Sequence, residues 1–177
     1  MSVEMKRTWS MPSKHTFLIK PIGEVIQRIV GDGKGWIDPF AGDNSPAEIQ
    51  NDLNPEKPTQ YHMDALEFLQ TQETASAKGV IYDPPYSLRQ ASECYQGVGR
   101  ETFSVTRADY WSKCKNEIAR ITMIGGTVIC CGWNSNGIGK KRLFAMKQIL
   151  LVPHGGSKND TIVTVEVKTG SQESLFA

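Results

Sequence analysis

The stretch Val80-Ile81-Tyr82-Asp83-Pro84-Pro85-Tyr86-Ser87 constrains this chain more than any other. Its apolar, β-branched start reads as a buried strand. Two successive prolines lack N–H groups and fix φ, so they cannot continue a strand ladder. The strand therefore stops abruptly, with Asp83 at its carboxyl edge, where open α/β sheets bind ligands. Asp83 and the Pro84 carbonyl are acceptors, Tyr86 offers a flat face, and Pro85 stiffens the turn that relates them. Two acceptors beside a stacking surface suit a planar group bearing an NH2, such as a nucleobase amine. Taken alone, the same residues also describe a plain proline-stabilised turn.

Other segments repeat the pattern of an acid at a strand end. Residues 1–15 read as a flexible arm. Ile22, Val25, Ile26, Ile29 and Val30 recur at helical spacing behind Pro21, which suits a first helical turn, and Gly31-Asp32-Gly33 ends that helix. Trp36-Ile37-Asp38-Pro39-Phe40-Ala41-Gly42 is a brief strand followed by an acid and a glycine-containing turn. Residues 48–52 and 60–64 read as further short strands, closing on Asp52 and Asp64, with a helix over 66–71. Parallel strands would gather Asp38, Asp52, Asp64 and Asp83 along one rim. Such crowding of like charge is unfavourable unless a ligand offsets it.

The second half continues with a long loop or partly helical excursion over 87–108 and a helix over 108–124 that Gly125-Gly126 ends. A central strand at 127–131 follows, then a short basic helix over 140–147 and strands at 148–152 and 161–168. The loop 153–160 between the last two predicts an antiparallel hairpin. Residues 170–177 read as a flexible tail.

Composition narrows the class. A chain of 177 residues with 39% hydrophobic and 22% charged residues is ordinary for one globular domain. The formal net charge of +1 neither demands nor excludes nucleic acid. No apolar run approaches a membrane span, and the first fourteen residues lack a signal-peptide core. Cys94, Cys114, Cys130 and Cys131 form no CxxC pair, and His15, His62 and His154 are not at zinc spacing. A reducing, cytoplasmic setting without structural metal is the expectation.

In their order, Lys20-Pro21, Asp38-Pro39-Phe40-Ala41-Gly42 and Asp83-Pro84-Pro85-Tyr86 resemble the S-adenosylmethionine-dependent amino-methyltransferases of DNA. The adenine-N6 type of phages, prophages and restriction–modification systems is the nearest pattern, and the resemblance runs from about Phe17 to Lys168. It implies a Rossmann-like class I α/β fold: a mostly parallel seven-stranded sheet ending in an antiparallel hairpin, in a methyltransferase domain over 16–169. It implies S-adenosyl-L-methionine as cofactor and DNA as partner. Asp38, Pro39, Phe40 and Gly42 would line the methionine part of the cofactor. Asp52 would accept its ribose hydroxyls, and Asp64, beside Ala65, its adenine amine. Phe17 and Lys20 would cover it. Asp83 and Pro84, held by Pro85, would grip the target amine, and Tyr86 would stack on the flipped base. Similar D/N-P-P-Y sites serve cytosine N4, RNA and glutamine side chains, and an inert binding module of the same fold is a further alternative.

Two features depart from that pattern. The segments 42–49 and 54–60 are too short for crossover helices, which usually need about a dozen residues. One sheet face is therefore expected to be helix-depleted and to meet a partner, in a homodimer or larger complex. No separate target-recognition region remains, so Arg89, Arg100, Lys140, Lys141 and Arg142 are the candidates for phosphate contact.

Overall fold

A computed structural model describes residues 2–102, 105, 107–134 and 137–170. Its strands are β1 (Glu4–Arg7), β2 (Trp36–Asp38), β3 (Ile49–Gln50), β4 (Ala77–Tyr82), β5 (Thr122–Gly132), β6 (Phe144–Val152) and β7 (Thr161–Lys168). Its helices are α1 (Lys20–Val30), α2 (Ala65–Thr71), α3 (Leu88–Gly97) and α4 (Ala108–Ile121). The strands form one sheet in the order β1-β6-β7-β5-β4-β2-β3. β7 runs antiparallel to both neighbours and every other pairing is parallel. The sheet is thus the expected Rossmann-like one, with the hairpin of β6 and β7.

Each face has its own core. Ile22, Val25, Ile26 and Val30 form the apolar stripe of α1 and pack on Ile81, Ile129, Leu150, Val163 and Val165. On the other face α2, α3 and α4 bring Phe68, Leu69, Ala91, Tyr95, Cys114 and Ile118 onto Ile37, Val80, Tyr82 and Val128. No helix lies between β2 and β3 or between β3 and α2, so among the described residues α1 is the one α-helix on its face, as the short connections require. At Gly79 a Cβ would lie 2.6 Å from the Trp36 ring. The missing side chain is what lets the indole lie across β4.

Several expectations need correction. Residues 4–7 are not part of a free arm: they are the strand β1, paired with β6 in parallel. All four residues are exposed and only one is apolar, so the pairing is by main chain and the strand carries little apolar signal in the sequence. The expected strand over 60–64 shrinks to one isolated bridge, Asn51 to Tyr61, and β1 makes up the seventh strand instead. The helix expected to end at Gly125-Gly126 ends at Ile121, and β5 begins at once. The buried Lys168 ammonium satisfies the carbonyls there, donating to Ala119 O (2.6 Å) and Thr122 O (2.7 Å). The basic helix over 140–147 is only a 3-10 turn, Lys140–Arg142, after which Leu143 takes φ 66°. Pairing of Phe144 with Lys168 draws the rest into β6, so the ladder overrides local helix preference. Residues 171–177 of the expected tail lie outside the described residues. Among those described, no helix is long and apolar enough to cross a membrane.

Candidate active site

The chain leaves β2 toward β3 on one side, and β4 lies on the other. The carboxyl ends of β2 and β4 therefore form the topological switch point, the usual ligand site of such sheets. A cleft of about 900 Å³ opens there. Its walls include Thr16, Ile19, Pro39, Phe40, Asp52, Ala65, Asp83, Pro84, Pro85, Tyr86, Trp133, Lys158 and Asn159. A second cavity of about 480 Å³ lies beside it, between Tyr82, Leu88, Trp111, Lys115 and Asn134. Pro84, Pro85, Tyr86 and Trp133 border both.

The wall between the cavities is built by the end of β4 and the start of α3. Ser87 caps α3, its Oγ accepting from Gln90 N–H at 3.2 Å. Gln90 in turn accepts the Tyr86 N–H at 2.7 Å. Prolines end the strand and a cap begins the helix, so the turn has few ways to move. The Tyr86 hydroxyl donates to Asp83 Oδ1 at 2.5 Å, and Thr16 Oγ1 lies 3.2 Å from the same hydroxyl. The Tyr86 ring meets Trp133 edge-on, centroids 5.5 Å apart. Tyr86 is therefore not the free stacking face expected from the sequence: it orients Asp83, and its ring is already half covered. Burial pushes the Asp83 carboxyl up to about 6, against the lowering effect of the Tyr86 and Thr16 hydrogen bonds.

The other acids divide into two kinds. Asp52 is half-buried on the cleft wall, accepting Asn54 N–H at 2.8 Å on Oδ1 and Gly42 N–H at 3.0 Å on Oδ2. A carboxylate has about four lone-pair sites, so Asp52 keeps acceptor capacity for a ligand. Asp38 and Asp64 do not reach the cleft. Asp38 is wholly buried and holds the turn after β2, accepting Phe40 N–H (2.9 Å) and Ser45 Oγ–H (2.6 Å). Burial raises it to about 7, those bonds oppose the rise, and the charges of Asp83 and Asp52 add to it. Asp64 caps α2 through Leu66 N–H and Glu67 N–H and accepts the hydroxyls of Tyr95 and Tyr110. Both its oxygens are occupied by the fold. The signal was in the sequence: Asp64 stands three residues before Glu67 at the head of an apolar helix, a capping pattern.

The remaining expected residues also separate. Pro39, Phe40 and Ala65 line the cleft. Gly42 (φ 56°) serves the turn through its bond to Asp52. Lys20 is exposed at the start of α1, and Phe17 packs on the α1-side core; their neighbours Thr16 and Ile19 take the wall instead. Arg142 is a strut, donating to Asn116 Oδ1 (2.7 Å), Ile138 O (3.1 Å) and Ser112 Oγ (3.0 Å). Arg89 pairs with Glu93 at 2.7 Å, while Arg100, Lys140 and Lys141 are exposed. The reading of the sequence missed Thr16 and Trp133. The loop after β6 adds His154, Lys158 and Asn159; the buried His154 ring bonds Ser10 O and Thr161 Oγ1, both at 2.9 Å, and so ties residues 8–16 to the cleft rim.

No protein-family model and no curated protein matches the chain. Solved structures do. One is the 1,6-didemethyltoxoflavin-N1-methyltransferase of Burkholderia thailandensis, solved with 1,6-didemethyltoxoflavin and S-adenosylhomocysteine. It superposes with a TM-score of 0.59 at 12% identity, over 85% of this chain and 78% of that one. TrmN from Thermus thermophilus superposes with a TM-score of 0.53 at 15% identity, over 88% of this chain. The match spans half the TrmN chain, at 50%. At these identities the likeness establishes the fold: the Rossmann-like sheet of methyltransferases.

Proposed function

We propose that this chain is an S-adenosylmethionine-dependent methyltransferase acting on the exocyclic N6 amine of an extruded adenine in DNA. The observation that carries the reading is the place of Asp83. It stands at the carboxyl edge of β4, on the larger cleft, in a turn that also walls the smaller cavity. One cavity can take a cofactor and the other a flat base, with the acid and the Pro84 carbonyl at their junction.

The larger cleft fits the cofactor chemically. Asp52 keeps acceptor capacity for ribose hydroxyls, and Leu53, Met63 and Ala65 offer apolar wall for an adenine ring. S-adenosylmethionine, when bound, supplies an electrophilic methyl on sulfonium. The chain's own task is to position and polarise the amine. An aromatic amine is a poor nucleophile because its lone pair is delocalised into the ring. Acceptors at Asp83 and Pro84 O draw its hydrogens away and localise that pair on nitrogen, and holding the reactants in contact supplies much of the rate. Extruding the base costs a few kcal/mol, and stacking against an aromatic such as Trp133 or Trp111 returns about 1–3 kcal/mol. The ionised Asp83 also receives the proton that the methylated nitrogen sheds.

Methyl transfer from labelled cofactor to duplex DNA, followed by nucleoside mass analysis, tests this. N6-methyladenine that disappears in Asp83→Ala, with cofactor affinity nearly intact, supports it. Labelled cytosine, RNA or protein would change the substrate, and full activity of Asp83→Ala would remove the site. A second reading, an inert binding module, is favoured by the bond from Tyr86 to Asp83. That hydroxyl occupies one of the acceptors and must exchange for substrate. Intact cofactor binding without transfer to any of these substrates would select the second reading.

A further inference from the structure

The sheet is open at β1, its terminal strand, whose four residues are all exposed. Thr8 and Ser10 donate their N–H groups to Leu151 O (3.0 Å) and Pro153 O (3.1 Å) beside β6. Main-chain groups alternate sides along a strand. Even-numbered residues therefore face β6, and Val3, Met5 and Arg7 turn their N–H and C=O groups outward. The register sets Met5 beside Ile149 and Arg7 beside Leu151, and Leu151 beside Ile162. Their neighbours Leu150 and Val163 belong to the α1-side core, so this row lies on the opposite face, where Ile149, Leu151 and Ile162 are only half-buried. Met5 is 73% exposed and Val3 42%.

We propose that the outer edge of β1 is a homodimer interface, on which β1 of a second copy pairs antiparallel about a two-fold axis at Met5. The register follows from charge. An axis at Met5 puts Glu4 opposite the partner's Lys6 and Lys6 opposite the partner's Glu4, so opposite charges meet at both crossings. An axis at Glu4 would oppose two carboxylates. Axes at Lys6 and Arg7 would oppose two cations, and like charges directly opposite are destabilising. An axis between residues would set an outward-facing residue against an inward-facing one and make no ladder. With the axis at Met5, the outward residues Met5, Val3 and Arg7 make the hydrogen-bonded pairs. Glu4 and Lys6 fall at the non-bonded sites, where side chains approach most closely.

Chemistry on both faces agrees with that register. On the α1 face Glu4 already pairs with Lys6 of its own strand at 2.9 Å, and the partner extends this to a ladder of four alternating charges. On the other face Met5 meets the partner's Met5, which joins the two half-buried rows into one covered strip. The aliphatic stem of Arg7 lies over the partner's Val3. Edge strands bearing lysine ordinarily resist such pairing; here the glutamate two residues away supplies the matching charge. β1, β6, β5 and β4 run in one direction. The two-fold therefore places the clefts of the two copies on opposite edges of the joined sheet, and they open in opposite directions.

The test is the dissociation constant of the full chain by sedimentation equilibrium, at concentrations about 50 µM and below. The parent is expected at twice the chain mass. Glu4→Lys and Lys6→Glu should each weaken association about tenfold or more, and the double variant should return it to near the parent value. Met5→Pro removes an N–H that points away from β6, so it should abolish the dimer while leaving the melting temperature of the monomer unchanged. A monomeric parent overturns the proposal. So do single reversals without effect, a double variant no tighter than the singles, or a dimer that survives Met5→Pro.

Discussion

Asp38 is the buried acid whose titration should be read most directly in stability. It is wholly buried, and its carboxyl is raised from an ordinary 3.8 to about 7. The fold thus favours the neutral form. Between those two values the native state holds a proton that the unfolded chain has lost, so stability falls as pH rises. The contribution is complete below about pH 4 and is gone above about pH 7. About three pH units at 1.36 kcal/mol each amount to about 4 kcal/mol, of which about 3 kcal/mol is lost between pH 5 and 8. Asp38→Asn keeps an oxygen for Phe40 N–H and offers an amide N–H to Ser45 Oγ, so it stands in for the protonated acid. Urea unfolding of parent and variant at pH 5, 6, 7 and 8 gives the difference in stability at each pH, and the difference cancels the titrating groups that do not feel the Asp38 charge. It should move in favour of the variant by about 3 kcal/mol across that range. A difference that stays flat within about 0.5 kcal/mol would refute the argument that a buried carboxylate only partly offset by its hydrogen bonds closes the turn after β2.

Further outcomes follow from the same geometry. Because ionised Asp83 is the acceptor, kcat/KM for methyl transfer should rise with pH through about 6 and then level off. Tyr86→Phe removes a donor that favours the ionised form, so the inflection should move to higher pH, as a pH–rate profile would read. Asp52→Ala should weaken cofactor binding in calorimetry with little loss of stability. Asp64→Ala should do the reverse, costing about 2 kcal/mol or more through the lost cap and the stranded tyrosine hydroxyls. Gly79→Ala drives a Cβ into the Trp36 ring and should cost about 1–3 kcal/mol, seen as a lower urea midpoint at constant slope.

Tertiary partners account for the points where local reading failed. Residues 140–147 carry helix formers, yet β7 pairs with Phe144, Ala145 and Met146 and takes the second half of the segment as a strand. The two glycines at 125–126 look like a helix end, yet a lysine 43 residues beyond Gly125 completes the end of α4 four residues earlier. β1 is short and mostly charged, with neither face buried in one copy of the chain, so its pairing leaves little trace in the sequence.

Most of the elements from α1 to β7, the helix-poor face and the acid at the end of β4 were written in the sequence. They rest on local facts: the period of apolar residues, the φ of proline, the length of a connection. Which acids face the cleft was not. Asp38, Asp52 and Asp83 look alike along the chain, and only the capping pattern with Glu67 sets Asp64 apart; the packing around each decides whether its oxygens are used by the fold or left for a ligand. Ser45 closes Asp38 from the next turn, while Tyr95 and Tyr110 close Asp64 from 31 and 46 residues away, where no local pattern reaches.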